Sequence, residues 1–192
     1  MRKYLQLFTK IDNLLQNGPV IFAIDGGSAS GKTTLSKMLS EIYDANVFHI
    51  DDFFLRPEQR TQERLSEVGG NFDRERFLSE VLTPLKEGRE VCYSRFDCST
   101  QSLLPPTKVP PKPLTIIEGV YSLHPELLPF YDGSLFLHIN PDLQRERILK
   151  RNTPALAKRF FEEWIPMENA YFEQMHPKEH ATLALCVAAD DE

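Results

Sequence analysis

Short apolar runs alternate along the chain with longer stretches in which apolar residues recur every three or four positions. The short runs, each bounded by turn-forming or charged residues, predict strands at Val20–Ile24, Asn46–Ile50, Leu114–Ile117, Leu135–Ile139 and Thr182–Val187. The helical spacing predicts an amphipathic helix within residues 1–17 and helices at Lys32–Ile42, Arg74–Glu87, Asp142–Arg151 and Ala157–Gln174. This alternation favours a three-layer α/β fold, in which helices cover both faces of a mainly parallel five-stranded sheet.

The length and charge of the chain limit its function. Its 192 residues suit one domain that buries most of its apolar surface without disulfides. A formal net charge of −6 argues against nucleic acid as a partner, since binding by counterion release favours a basic chain. No apolar stretch is long enough to span a bilayer, and the three cysteines form no C-x-x-C pair. These features predict a cytoplasmic protein with reduced thiols and no membrane partner.

The most specific motif follows the first predicted strand. It matches G-x-x-x-x-G-K-[ST] and consists of Gly26, Gly27, Ser28, Ala29, Ser30, Gly31, Lys32, Thr33 and Thr34. The glycines allow a tight turn whose N–H groups point at phosphate oxygens, and the following helix presents the positive end of its dipole to the same charge. In such a phosphate-binding loop, or P-loop, Lys32 reaches the β- and γ-phosphates and the Thr33 hydroxyl binds Mg²⁺. The motif therefore predicts binding of a nucleoside triphosphate with Mg²⁺.

Acidic residues follow two other predicted strands. Asp51 and Asp52 come directly after the second strand, and Glu118 follows the third. Ligands of open α/β sheets bind beyond the carboxyl ends of the strands, so we expect these carboxylates to converge on the P-loop. We assign Asp51 as the base that accepts the proton of an attacking hydroxyl, and Asp52 as a structural or metal-shell partner. Glu118 occupies the place of a Walker B acid, which holds Mg²⁺ through water or positions water.

The string Asn71-Phe72-Asp73 lies between a Gly-Gly loop and a predicted helix. Asp73 is a good N-cap there, because its side chain can accept hydrogen bonds from the unpaired N–H groups of the first helical turn. A carboxylate at the edge of a site can also bind vicinal hydroxyls. The two roles do not exclude each other.

Basic residues cluster after the fourth predicted strand, in segment 141–160. Arg145, Arg147, Lys150 and Arg151 lie on one predicted helix, and Lys158 and Arg159 follow. In most proteins such a run is a solvated helix face. In this place in a P-loop domain we favour a mobile lid, whose Arg147 and Arg151 neutralise charge on the transferring phosphoryl group.

Together these segments resemble the uridine kinase and phosphoribulokinase family of P-loop kinases, its nucleoside kinase branch above all, over nearly the whole span from Val20 to Val187. His49-Ile50-Asp51-Asp52-Phe53-Phe54 is similar to the family's S-x-D-x-F-[YF], in which the first Asp is the catalytic base. Glu118-Gly119 matches the family's E-G. The family's N-F-D string, which holds the ribose hydroxyls, is present at residues 71–73.

The sequence departs from the family pattern in two places. The family hairpin Y-D-F-x-x-H-S has its counterpart in residues 96–102, with Phe96 in place of the tyrosine and Gln101 in place of the base-contacting histidine. The lid signature R-D-x-x-x-R-G-R is missing, since Arg147 and Arg151 are followed by Asn152. Phosphoryl transfer is compatible with these changes, whereas uridine as the acceptor does not follow from the resemblance.

The resemblance implies a kinase that uses ATP and Mg²⁺ to phosphorylate a hydroxyl of a small metabolite, with a nucleoside as the leading acceptor. It implies an acceptor-binding insertion at 53–113 and, around the acceptor, the residues Asp51, Phe54, Phe72, Asp73, Phe96 and Gln101. A pantothenate, nicotinamide riboside or sugar kinase is a related alternative. A regulatory ATPase without a small acceptor is an alternative of a different class. The oligomeric state stays open, a homo-oligomer included.

Overall fold

The computed structural model describes residues 4–188. In chain order its strands are β1 (Val20–Gly26), β2 (Asn46–His49), β3 (Val91–Tyr93), β4 (Phe96–Asp97), β5 (Ser102–Leu103), β6 (Thr107–Val109), β7 (Leu114–Glu118), β8 (Gly133–Ile139) and β9 (Leu183–Val187). Within this range, five strands form one sheet in the order β2-β7-β1-β8-β9, and every neighbouring pair in it is parallel. The predicted α/β sheet is confirmed, with small shifts at the strand ends.

Helices cover both faces of this sheet. They are α1 (Leu5–Leu15), α2 (Lys32–Tyr43), α3 (Gln62–Ser66), α4 (Arg74–Phe77), α5 (Thr83–Lys86), α6 (Pro141–Arg151), α7 (Pro154–Arg159), α8 (Ile165–Met175) and α9 (Pro177–His180). One core lies under α1 and α2 and contains Phe22 and Leu39. The second core lies on the opposite face, under α4, α5 and α8, and contains Phe48, Phe77 and Tyr171. Met1, Arg2 and Lys3 of the predicted N-terminal helix lie outside the described residues.

Two of the predicted helices contain a turn of π-helix. One turn, Leu78–Leu82, separates α4 from α5, and the other, Phe160–Trp164, separates α7 from α8. Each is followed closely by a proline, Pro84 or Pro166, which has no N–H to donate to the preceding turn. The regular hydrogen-bond ladder is therefore interrupted there, and the wider turn changes the direction of the side chains that follow.

The segment between β2 and β7 contains two short antiparallel pairs. β3 pairs with β6, and β4 pairs with β5. The sequence predicts an extended proline-rich loop over 105–113, and part of that loop is the strand β6. Thr107 and Lys108 of β6 are both exposed and only Val109 packs against the second core, so this three-residue strand is too short and too polar for a period of two to be recognised.

Candidate functional site

The P-loop joins β1 to α2 at the carboxyl edge of the sheet. Gly26 ends β1 with a φ of +142°, and a Cβ placed on it would lie 2.3 Å from the carbonyl oxygen of Leu137. Gly31 directly precedes α2 with a φ of +94°. A side chain would be strained at both positions, so these two glycines are what lets the chain turn directly into the helix.

The first turn of α2 and Lys32 concentrate positive charge at the loop. The leading N–H groups of a helix have no acceptor within the helix and carry the positive end of its dipole. Lys32 is buried, and its Nζ donates hydrogen bonds to the carbonyl oxygens of Gly26 at 2.8 Å and Gly27 at 3.1 Å. The ammonium group is thus held against the loop, next to the N–H groups that favour an anion.

Glu118 connects the P-loop to the neighbouring strand. Its Oε1 accepts a hydrogen bond from the Thr33 hydroxyl at 3.0 Å and lies 2.5 Å from Nδ1 of His49. His49 is directly opposite Glu118 in the register of β2 and β7. The carboxylate and the threonine hydroxyl are hard oxygen ligands of the kind that Mg²⁺ prefers.

Electrostatics keep this carboxyl ionised. Burial favours the neutral form of Glu118, but the hydrogen bond with His49 and the charge of Lys32 outweigh burial and lower its pKa. The same hydrogen bond raises the pKa of His49. Glu118 is therefore an anion in the position from which it contacts Thr33.

Asp51 and Asp52 have different surroundings. β2 ends at His49 and the chain enters a 3₁₀ turn at Ile50–Phe53, which contains both acids. Asp52 is buried, and its Oδ1 accepts a hydrogen bond of 2.8 Å from Nε of Arg95. This ion pair is compatible with a structural role for Asp52, and its role in the metal shell stays a prediction.

Asp51 retains access to solvent. The protein packed around it nevertheless displaces enough water to raise the pKa of its carboxyl, with Lys32 as the main opposing charge and Glu118 acting in the raising direction. Asp51 therefore shares its electrostatic environment with the P-loop lysine and the Walker B acid. Of the two neighbouring acids, Asp51 is the exposed one, and its role as the base stays a prediction.

The N-F-D string lies antiparallel beside the residues that follow Asp52. Phe54 bridges Phe72, and the N–H of Asp73 donates to the carbonyl of Phe53 at 2.8 Å. Asp73 caps α4, because its Oδ1 accepts from the N–H of Arg76 at 3.2 Å, and its Oδ2 lies 3.4 Å from Nε of the same arginine. Phe72 is 1% exposed in the second core, so its position gives no support to a contact with the acceptor.

The β4–β5 hairpin carries the other two predicted acceptor residues. Phe96 is buried, and the guanidinium of Arg60 lies 5.5 Å from its ring centroid. Gln101 is exposed at the turn with a φ of +54°, and its amide donates to the carbonyl of Cys98 at 2.6 Å. Of the two residues, Gln101 is the one that solvent reaches.

The basic segment packs next to the P-loop. Nη1 of Arg147 donates to the carbonyl of Ala29 at 3.3 Å, which brings this arginine to the phosphate side of the site. Arg151 lies one helical turn further on, with its guanidinium 5.5 Å from the ring centroid of Phe160. Their action as a mobile lid stays a prediction.

The sequence alone does not identify three side chains at this edge as site residues, although His49 occupies the serine position of the string that resembles S-x-D-x-F-[YF]. Besides His49, they are Gln144 and Glu168, which bind the carbonyl and the N–H of Ser28 at 3.0 Å and 2.9 Å. Gln144 and Glu168 lie 116 and 140 residues beyond Ser28. Only the tertiary fold brings α6 and α8 back to the P-loop, so no local pattern could have signalled these contacts.

The fold and this edge define a P-loop NTPase of the three-layer α/β class. A family model described as "Phosphoribulokinase / Uridine kinase family" matches residues 21–156. The chain belongs to this family.

The chain is similar in sequence to proteins named as uridine kinases or uridine kinase-like proteins. It is 27% identical over 147 residues to "Uridine kinase-like protein 4" of Arabidopsis thaliana, covering 72% of this chain and 31% of that protein. It is 28% identical over 142 residues to "Uridine kinase" of Chloroflexus aurantiacus, covering 70% of this chain and 68% of that protein. The chain thus spans about a third of the length of the Arabidopsis relative.

A solved structure supports the fold. The "Structure of a Possible Uridine Kinase from Bacillus stearothermophilus" superimposes with a TM-score of 0.67 at 23% identity, covering 94% of this chain and 100% of that chain. Between residues 4 and 188, no helix is both long enough and apolar enough to cross a bilayer.

Proposed function

We propose that this chain is an ATP-dependent kinase that phosphorylates a hydroxyl group of a small metabolite, with a nucleoside as the preferred acceptor. One observation carries the proposal: three kinds of chemistry converge at the carboxyl edge of the sheet. Lys32 lies against the P-loop, Thr33 is hydrogen-bonded to the ionised Glu118, and Asp51 lies in the field of both charges. A phosphate clamp, a cation site and a base are what phosphoryl transfer requires.

The residues at this edge fit Mg·ATP. The first turn of α2 and Lys32 supply donors for the phosphates. Thr33 and Glu118 are the residues that would hold Mg²⁺, the carboxylate directly or through water, since Mg²⁺ keeps several waters and uses few protein ligands. Bound there, Mg²⁺ would neutralise charge on the phosphates.

Asp51 acts as the base in this proposal. The acceptor oxygen forms a bond to the γ-phosphorus, the bond from phosphorus to the bridging oxygen of ADP breaks, and the proton of the acceptor passes to the carboxylate. A raised pKa makes Asp51 a stronger proton acceptor than an ordinary aspartate. Arg147 is close enough to the P-loop to meet the charge that develops.

Asp73 supports a ribonucleoside as the acceptor. Each of its oxygens has one contact with Arg76 and can accept a second hydrogen bond, but Asp73 is as closed to solvent as Phe72, at 1% exposed, so the proposal requires the surrounding turns to open when the acceptor binds. The names of the relatives favour a pyrimidine nucleoside. Gln101 in place of the histidine of the resembled family favours a less strict choice of base.

The experiment that tests the proposal is a screen of acceptor-dependent ADP release. The purified chain, ATP and Mg²⁺ are incubated with uridine, cytidine, nicotinamide riboside, pantothenate or a simple sugar. We expect release with a ribonucleoside and little release without an acceptor. Turnover of pantothenate or a sugar alone would overturn the nucleoside assignment, and ATP hydrolysis that no acceptor changes would support a regulatory ATPase.

The same assay tests the role of Asp73. A 2′-deoxynucleoside leaves one of the expected hydrogen bonds of Asp73 unmade, so we expect kcat/KM about tenfold or more below that of the ribonucleoside. Asp73→Asn should remove most of this preference while Asn still caps α4. An unchanged ratio between the two substrates in Asp73→Asn would show that Asp73 is a cap and nothing more.

A further inference from the structure

Helix α8 binds the P-loop through Glu168, a buried carboxylate without a motif. Oε2 of Glu168 accepts a hydrogen bond from the N–H of Ser28 at 2.9 Å, and Oε1 accepts a second bond from the hydroxyl of Ser28. Glu168 is 4% exposed. A buried carboxylate is costly unless hydrogen bonds compensate it, and here two donors of the same loop residue do so.

A second contact from the same helix holds the start of the loop. The hydroxyl of Tyr171 donates to Oδ2 of Asp25 at 2.7 Å, and Asp25 also accepts from the N–H groups of Gly26 and Leu123. Glu168 and Tyr171 are three residues apart and therefore lie on one face of α8. Asp25, near the end of β1, and Ser28, in the P-loop, are likewise three residues apart. The same face of α8 therefore contacts both the end of β1 and the loop.

Helix α6 completes the arrangement. Nε2 of Gln144 donates to the carbonyl of Ser28 at 3.0 Å. A Cβ placed on Gly27 would lie 3.0 Å from that Nε2 and 3.6 Å from Oε2 of Glu168. The second glycine of the motif is thus packed closely against these two side chains, which leave little room for a side chain at position 27.

The N–H, carbonyl and hydroxyl of Ser28 are therefore all bonded to side chains from outside the loop. The N–H groups in the first turn of α2 are a separate set and remain the donors for an anion. A loop fixed in this way loses less conformational freedom when phosphate binds, and its donors need no rearrangement.

We infer that Glu168 is a positioning residue of the phosphate-binding loop, which holds Ser28 so that the loop is formed before the nucleotide arrives. This inference rests on the proposed function for its nucleotide ligand, but not for the identity of the acceptor. It concerns binding of the phosphates, so ATP and ADP should respond alike.

The test compares Glu168→Ala and Glu168→Gln with Glu173→Ala, an exposed glutamate on the same helix. The dissociation constants of Mg·ATP and Mg·ADP are measured for each variant by calorimetry, together with amide hydrogen exchange of residues 26–31. Circular dichroism checks the fold. We expect Glu168→Ala to weaken both nucleotides about tenfold or more and to speed exchange in the loop. Glu168→Gln should be intermediate, because its amide oxygen can still accept from Ser28, and the control should match the unaltered chain.

A double-mutant cycle sharpens the test. Ser28→Ala removes the hydroxyl contact and keeps the N–H contact, so it should have the smaller effect. Because the two residues share these bonds, Glu168→Ala combined with Ser28→Ala should weaken binding no more than Glu168→Ala alone, within about twofold. If Glu168→Ala does not fold, Glu168→Gln and Ser28→Ala still decide the question through nucleotide affinity and exchange.

Two results would overturn the inference. Unchanged affinity and unchanged exchange in Glu168→Ala would leave Glu168 as a packing residue. Tighter nucleotide binding in Glu168→Ala would mean that the carboxylate competes with phosphate for the loop. Failure of the proposed kinase is a separate result, in which the chain binds nucleotide and no acceptor is phosphorylated, and the affinities and exchange rates would still decide the role of Glu168.

Discussion

The phosphate side and the acceptor side of the proposed active site are built in different ways. On the phosphate side, the P-loop follows β1, which lies between β7 and β8 in the central sheet, and its contacts are made largely by backbone groups and buried side chains. On the acceptor side, short hairpins and turns are held by ion pairs, such as Arg95 with Asp52 and Arg76 with Asp73. The first arrangement fixes where the phosphates bind. The second presents side chains that can be exchanged with little effect on the sheet.

We expect this difference to separate the residues on which phosphoryl transfer depends from the residues that select the acceptor. A change in the backbone of the P-loop would disturb β1, α2 and the neighbouring strand β8 together, since Gly26 approaches the carbonyl of Leu137. A change at Gln101 affects an exposed turn that is braced locally by Asp97, whose carboxylate accepts bonds from Ser99 and Thr100. We therefore expect substitutions on the phosphate side to abolish turnover, and substitutions in the hairpin to change which acceptor is used.

Lys32→Ala should have the largest effect. It removes the buried ammonium group that meets the phosphates, so we expect kcat/KM for ATP to fall about 10³-fold, with an unchanged circular dichroism spectrum. Lys37→Ala, an exposed lysine of the same helix, is the matched control. Full activity in Lys32→Ala would contradict the enzyme proposal.

Asp51→Asn should have the next largest effect. We expect kcat to fall about 10²-fold with a smaller change in KM, because the asparagine cannot accept the proton of the acceptor. Asp52→Asn should cost less activity, since Asp52 is bonded to Arg95. The opposite ranking would show that Asp52 is the base.

The pH profile provides a second check on Asp51. The protein around Asp51 displaces water and raises the pKa of its carboxyl, so as the pH falls its base form is lost sooner than that of an ordinary aspartate. We expect kcat/KM of the unaltered chain to decrease with falling pH along a limb shifted to higher pH than an ordinary aspartate would give. Asp51→Asn should lack this limb.

The two arginines of the predicted lid, Arg147 and Arg151, should have intermediate and unequal effects. Arg147 contacts the P-loop carbonyl of Ala29, whereas Arg151 stacks on Phe160. We expect Arg147→Ala to lower kcat about tenfold with little change in acceptor KM, and Arg151→Ala to have a smaller effect of the same kind. Lys158→Ala serves as the control on α7. Equal losses in kcat and in acceptor binding, or no loss, would assign the segment to a solvated helix face.

The sequence predicted the phosphate side better than the acceptor side for a physical reason. The glycines, Lys32 and Thr33 belong to one contiguous motif that specifies both the loop backbone and the two side chains, and Glu118 ends an apolar strand whose neighbours follow from the alternation of strands and helices. The contacts of Ser28 with Gln144 and Glu168 depend on the return of α6 and α8 across the whole domain. The partner of Asp52, Arg95, lies between β3 and β4 outside any helix or strand, and no motif indicates that Arg76 of α4 would pair with Asp73.

The hairpin should show the smallest effect and the clearest change in selectivity. Gln101 is exposed, has a positive φ and lies where the family that the chain resembles has a base-contacting histidine. Histidine tolerates this backbone conformation better than most residues, so Gln101→His should keep the turn intact. One added hydrogen bond to the base should raise kcat/KM for uridine about threefold to tenfold relative to nicotinamide riboside. Gln101→Ala is the control that separates loss of glutamine from gain of histidine. If both variants change kcat/KM by the same factor for every acceptor, the hairpin does not contact the base. Selectivity between acceptors must then arise elsewhere in the segment 53–113.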